Sequence, residues 1–108
     1  MTTSTTSLWL LLSRYVRPLG EVDSLRPDHL EHLRRQRAAG HFLGWGRLVP
    51  PTGGFVLARG VDRATLDAVI AEDPYTVGGV AEWDVHELSL TDGTPDLLAA
   101  LVPDDRHG

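Results

Sequence analysis

The chain contains no cysteine among its 108 residues. That removes a disulfide scaffold, a thiolate nucleophile and every cysteine-ligated zinc or iron–sulfur site. Lysine is missing as well: all 10 basic side chains are arginine, so no Schiff-base amine is available. Long apolar stretches are also absent. The longest, Leu8 to Leu12, falls far short of the ~20 residues that span a bilayer, and no membrane partner is expected. Residues 2–7 are Thr and Ser with no basic segment, which reads against a secretory leader and makes the cytoplasm the expected compartment. Basic charge is scarce. With 15 acidic against 10 basic side chains the net charge is −5, a poor complement to nucleic-acid phosphates.

What remains is an ordinary globular composition, 42% hydrophobic and 23% charged. The length suits one domain with one core. Residues 1–7 read as a disordered leader, 8–90 as the domain and 91–108 as a C-terminal extension. Leu8–Val16 is a nearly continuous apolar run that predicts a strand, broken by Pro18 and Gly20. Pro27 suits a first helical turn, so a helix is expected from there to Ala39, with Gly40 as its stop. Leu30 and Leu33 mark its buried stripe, whereas Glu31–Arg35 and Asp28–His32 are i,i+4 pairs expected on the wet side.

Phe42–Val49 predicts a second strand, in which Gly44 and Gly46 share a face that their small size keeps open. The segment 50–54 reads as a turn into a third strand, Phe55–Arg59. Asp62 is a good N-cap for a second helix whose core stripe is Leu66, Val69 and Ile70, and Pro74 ends it. Ala81–Leu90 predicts a fourth strand, and Leu97–Val102 a short helical piece before a frayed tail. The order β-α-β-β-α-β fits an α+β, ferredoxin-like sandwich, an antiparallel four-stranded sheet with both helices on one face. Trp9, Leu11, Tyr15 and Trp83 are too many large residues for one face on this reading. A homodimer through the sheet, with Trp9 or Trp83 in the contact, is therefore expected.

At Arg26-Pro27-Asp28-His29-Leu30 and Glu72-Asp73-Pro74-Tyr75 the sequence resembles the YciI-like (YCII-related) family. The Gly-x-Gly of the second strand, the Thr-Gly-Gly of the hairpin and the Gly-Val-Ala-Glu after Asp-Pro-Tyr fall in register with it, so the resemblance covers nearly all of residues 8–90. It implies a dimeric α/β barrel and a pocket beside a His and an Asp proposed as an acid–base pair, here His29 and Asp73. It also implies small cyclic or aromatic metabolites as substrates, with dehydrohalogenation-type chemistry among the reactions. The sequence departs from the family pattern at Arg47, where proline commonly follows the glycine, and at Trp45, where small residues are common. Both changes alter the pocket's shape and charge.

The chemistry-bearing residues each admit a plainer reading. With Pro27 starting the helix, His29 would sit in its first turn. Pro74 forces Asp73 out of helical geometry, free to point across the helix ends. The pair either moves protons or only ties two elements together. His29 and His32 have helical metal-ligand spacing, but no third ligand is evident and no metal is expected. Arg14 and Tyr15 face opposite sides of their strand, so one of them meets the pocket. Arg14 is a candidate anion clamp, and an ion pair is its alternative. Arg26 has the same ambiguity. Among Trp9, Trp45 and Trp83, Trp45 is the best ligand contact because glycines flank it, and Tyr75 stands ready to place its hydroxyl over the pocket.

The expected protein is thus a cofactor-free, metal-free homodimer acting on a small molecule. With no convincing nucleophile, proton movement (isomerisation, elimination or cyclisation) is favoured over acyl transfer. The rival is a non-catalytic ligand-binding or accessory dimer of the same fold.

Overall fold

The computed structural model of the protein describes residues 8–101; the expected leader and the end of the tail lie outside them. Strands β1 (Leu8–Tyr15), β2 (Phe42–Arg47), β3 (Gly53–Arg59) and β4 (Ala81–Leu88) form one sheet in the order β2-β3-β1-β4, every neighbour antiparallel. Helix α1 (Leu19–Ala38) connects β1 to β2, and α2 (Arg63–Glu72) with the single turn α3 (Pro74–Val77) connects β3 to β4. A short α4 (Pro95–Leu101) follows. This is the ferredoxin-like α+β arrangement. Among the described residues no helix is long and apolar enough to cross a membrane.

Several local expectations are corrected. Helix α1 begins at Leu19, capped by Pro18, and Pro27 lies inside it. The proline removes one internal hydrogen bond. The two turns before it persist because they bury Val22 completely against Tyr75, Val80 and Ala81. His29 therefore stands mid-helix, away from the helix dipole's end charge. His32 is not on the wet side. It is buried and its Nε2 bonds to the Val69 carbonyl at 3.0 Å, joining α1 to α2. Asp62 caps α2 through the Thr65 N–H at 2.8 Å, and Leu66, Val69 and Ile70 enter the core.

The large sheet residues also divide differently. Trp9, Leu11, Ser13 and Tyr15 alternate onto one face of β1. Register pairs Leu11 with Val56 and Val85, and Ser13 with Trp83, so these share the face that α1 and α2 cover. Trp9, with its indole N–H on the Val61 carbonyl at 2.9 Å, and Trp83, on Thr76 Oγ1 at 3.0 Å, belong to this core and not to a face left for a partner. One face holds them all because small Ser13, Gly54, Ala58 and Ala81 stand between the large residues there. The opposite face carries Leu10, Leu12, Phe55 and Leu57, all half-buried.

Gly53 and Gly54 are ladder residues of β3, not the turn itself. A Cβ on Gly53 would fall 1.8 Å from the Ser13 carbonyl oxygen, backbone that cannot swing away. Around Gly44, by contrast, a Cβ would meet nothing within 4 Å. Gly53→Ala is expected to lower stability by about 3 kcal/mol or more and Gly44→Ala by less than about 1 kcal/mol, read from urea unfolding midpoints. Equal shifts in the two variants would contradict this register.

Candidate functional site

The site forms where the middle of α1 meets the break between α2 and α3. Pro74 excludes the helical region for the residue before it, and Asp73 is accordingly extended at φ −63°, ψ 131°. Its carboxylate then turns back to cap α3, accepting the Tyr75 backbone N–H at 2.8 Å. The same carboxylate receives His29 from α1, with Nδ1 2.8 Å from Oδ1 and 3.0 Å from Oδ2. Both residues are buried, His29 at 8% and Asp73 at 2% exposure. A carboxylate this deep needs every bond it makes.

A carboxylate only accepts, so in the neutral imidazole that donates to it the proton stands on Nδ1 and the lone pair on Nε2. Among the described residues Nε2 has no protein partner, and no fully buried side-chain polar atom is left unpaired, so Nε2 is not sealed off; His29 itself lines a cavity. Tyr75 fixes the ring plane by stacking on it at 3.7 Å between centroids and 7° between planes.

That cavity measures about 30 Å³, room for two or three waters at ~10–15 Å³ each. His29, Leu30, Leu33 and Arg26 of α1 form one wall. Ser13, Tyr15, Trp45, Arg47 and Trp83 rise from the sheet, and Tyr75 closes the end near α3. Tyr15 meets Tyr75 edge-on at 6.0 Å. Arg47 donates through Nε to the Tyr15 hydroxyl at 3.1 Å and pairs with Asp23. Burial pushes the Tyr75 hydroxyl up to about 12, with nearby Tyr15 adding and Arg47 opposing. Asp23 holds the Arg47 guanidinium above its ordinary value, so it stays charged at any accessible pH.

Of the residues singled out from sequence, the structure brings His29, Tyr75, Trp45 and Arg26 to the cavity and sets Asp73 directly behind His29. Arg14 goes elsewhere. It is more than half exposed on the opposite sheet face, paired with Glu82 and, at 3.9 Å, with Asp84. Its neighbour Tyr15 takes the cavity position. The two histidines of His-x-x-His are spent on Asp73 and Val69, and among the described residues no three His, Asp or Glu side chains converge as a metal site. Sequence reasoning does not single out Ser13, puts Arg14 ahead of Tyr15 and marks Arg47 only as a departure, whereas the structure lines the cavity with Ser13, Tyr15 and Arg47. Period-two spacing holds the signal: Ser13 and Tyr15 continue from Trp9 and Leu11, and Arg47 is two residues beyond Trp45. The paired glycines fall on the other face, where Phe55 lies across Gly46.

Fold and cavity together define a ferredoxin-like α+β protein with a buried His–carboxylate pair beside a small polar cleft. Residues 8–89 match the family model of the YCII-related domain, and the chain belongs to that family. No curated protein matches it. Among solved structures, 5-chloro-2-hydroxyhydroquinone dehydrochlorinase (TftG) from Burkholderia phenoliruptrix AC1100, in complex with 2,5-dihydroxybenzoquinone, superposes with a TM-score of 0.63 at 19% identity, over 75% of this chain and 93% of that one. SnoaB, a cofactor-independent oxygenase from Streptomyces nogalater, gives 0.53 at 10% identity, over 85% and 99%. Rv0793 from Mycobacterium tuberculosis gives 0.55 at 17% identity, over 81% and 97%. At these identities the likeness is one of fold.

The Tyr75 environment has a measurable consequence. Its folded value lies above the ordinary 10, so it contributes stability that is full below pH 10 and is lost as pH rises through about 12. Tyr75→Phe should delete the late step in a phenolate absorbance titration. A wild-type titration complete well before pH 12 would contradict the buried placement.

Proposed function

We propose that the protein is a cofactor-free, metal-free enzyme that moves a proton on a small cyclic or aromatic compound, with His29 as the base and Asp73 as its positioning partner. One observation carries the reading: a buried imidazole tethered through Nδ1 to a carboxylate, on a histidine that lines a cavity. A positioned imidazole of this kind contributes about 10²–10⁴-fold to proton transfer. Asp73 holds the tautomer and stabilises the imidazolium that forms, and Tyr75 holds the ring plane. The cavity wall offers Tyr15 and Ser13 hydroxyls and the Arg26 and Arg47 guanidiniums, but no lysine or thiol to form a covalent intermediate. Isomerisation, elimination and cyclisation fit that equipment. Two relatives in fold, a dehydrochlorinase and a cofactor-independent oxygenase, support small-molecule chemistry of this type.

The test is turnover of hydroxylated and chlorinated hydroquinones and enolisable cyclic ketones, followed by chloride release and by solvent deuterium incorporation. His29→Ala should lose about 100-fold or more in kcat/KM while circular dichroism stays native, and Asp73→Asn about 10-fold or more. Full activity in His29→Ala would end the acid–base reading. Tight binding without turnover would establish the ligand-binding alternative.

The homodimer is also proposed, sheet to sheet as the sequence suggests, but with other residues than Trp9 or Trp83 in the contact. Leu10, Leu12, Phe55 and Leu57 form the half-buried apolar strip opposite the helices, and a second copy laid sheet to sheet would cover it. Such a contact should exceed ~1,000 Å² in total. Light scattering should give twice the 11.8 kDa chain mass. Leu12→Glu should give a folded monomer. A wild-type monomer at micromolar concentration would rule the dimer out.

A further inference from the structure

The charge of the cavity runs against the charge of the chain. Acidic side chains outnumber arginines 15 to 10 overall, yet two arginines and no Asp or Glu line this cavity. The one carboxylate close to it, Asp73, lies behind His29 and is consumed by bonds to His29 and the Tyr75 N–H. We infer that Arg47 selects the ligand, and that the cavity takes the enolate- or phenolate-type oxygen anion of a single-ring compound seated at its mouth, the anion binding the Arg47 guanidinium. The inference rests on reading this cavity as a small-molecule site and names the substrate class within it.

Arg47 is built for the role. Its side chain is 24% exposed, reached from solvent but held on both sides. Nε is fixed by the Tyr15 hydroxyl, and the guanidinium carbon lies 5.6 Å over the Tyr15 ring. A guanidinium has five N–H donors. Tyr15 and Asp23 engage two of them, and even with the Tyr75 hydroxyl as a further neighbour others remain for a ligand oxygen. Asp23 is the exchangeable partner. Its carboxylate is 47% exposed, and a solvent-screened ion pair is weak. A ligand anion inside the cavity meets the same guanidinium with less water around it and a planar fork that suits two oxygens. Tyr75, held in its neutral form by burial, keeps a hydroxyl proton to donate beside it. The ligand's anionic edge would then run from the Arg47 anchor toward His29, which lines the same cavity. That orientation would fix which carbon or oxygen faces the base.

The experiment uses two ring-matched probes and isothermal titration calorimetry with the full chain at pH 7.5. Cyclohexane-1,3-dione is an enolate at that pH, and its enol ether 3-methoxycyclohex-2-en-1-one is neutral. The enolate should bind wild type at least tenfold more tightly than the ether. Arg47→Gln should abolish the difference. Asp23→Asn, which frees the guanidinium and leaves Arg47 in place, should tighten the enolate about threefold without moving the ether, and it provides a readout even if Arg47→Gln fails to fold. Equal affinity for the two probes, no enolate binding at millimolar concentration, or an Asp23→Asn variant with unchanged enolate affinity would each overturn the inference. The outcomes separate from those of the base. An anion-blind cavity leaves the His29 reading intact, and an enolate-selective cavity with full turnover in His29→Ala removes the base while keeping the anchor.

Discussion

The bond between His29 and Asp73 organises more of this molecule than its two residues suggest. Asp73 is nearly inaccessible, and a buried carboxylate is tolerable only when its oxygens are bonded. Three features meet that demand at once. Pro74 holds the Asp73 backbone extended, the Tyr75 N–H caps one oxygen, and an imidazole arrives from a helix 44 residues away in sequence. The angle between α2 and α3, the seat of Tyr75 on His29 and the depth of α1's middle on the sheet are therefore one linked arrangement. Without the imidazole, the buried carboxylate keeps only its bond from the Tyr75 N–H.

The sheet completes the site by sorting residues between two environments. Along β1 the odd positions enter the core and end at Tyr15 in the cavity, and the even positions carry Leu10, Leu12 and Arg14 to the other face. Charges separate in the same way. Arg14, Glu82 and Asp84 neutralise one another in solvent, but Arg47 enters the cavity with only an exposed carboxylate at its outer end. An imidazole backed by a carboxylate thus shares its cleft with a permanent cation. This pairing suits a proton acceptor facing a ligand that carries or develops negative charge on oxygen.

The departures from the pattern the sequence resembles, Trp45 and Arg47, both lie in the cavity wall. Trp45 and Arg47 are two residues apart on β2, so both point to the helix-covered side. Trp45 lines the cleft and carries the Arg37 guanidinium carbon 5.2 Å from its ring centroid. Arg47 supplies the charge. His29 and Asp73 belong to helical elements, so a change on β2 alters the cavity wall without touching their bond.

Local signals in the sequence determined the order of the elements, the ferredoxin-like class, the Asp62 cap, the α2 stripe and the stop at Pro74. Each of these is decided by neighbours within about one turn, through capping, periodicity or a proline's missing N–H. The pairing of residue types at His29 and Asp73 was legible by resemblance, but their contact depends on how α1 lies against α3. Tertiary packing alone decided where α1 begins, because burying Val22 outweighs the break that Pro27 invites. It also decided that His32 turns inward, that Trp9 and Trp83 join the core, and that Tyr15 and Arg47, not Arg14, reach the cleft. Alternation along a strand shows which residues share a face, but the helices that cover one face decide which set is inside.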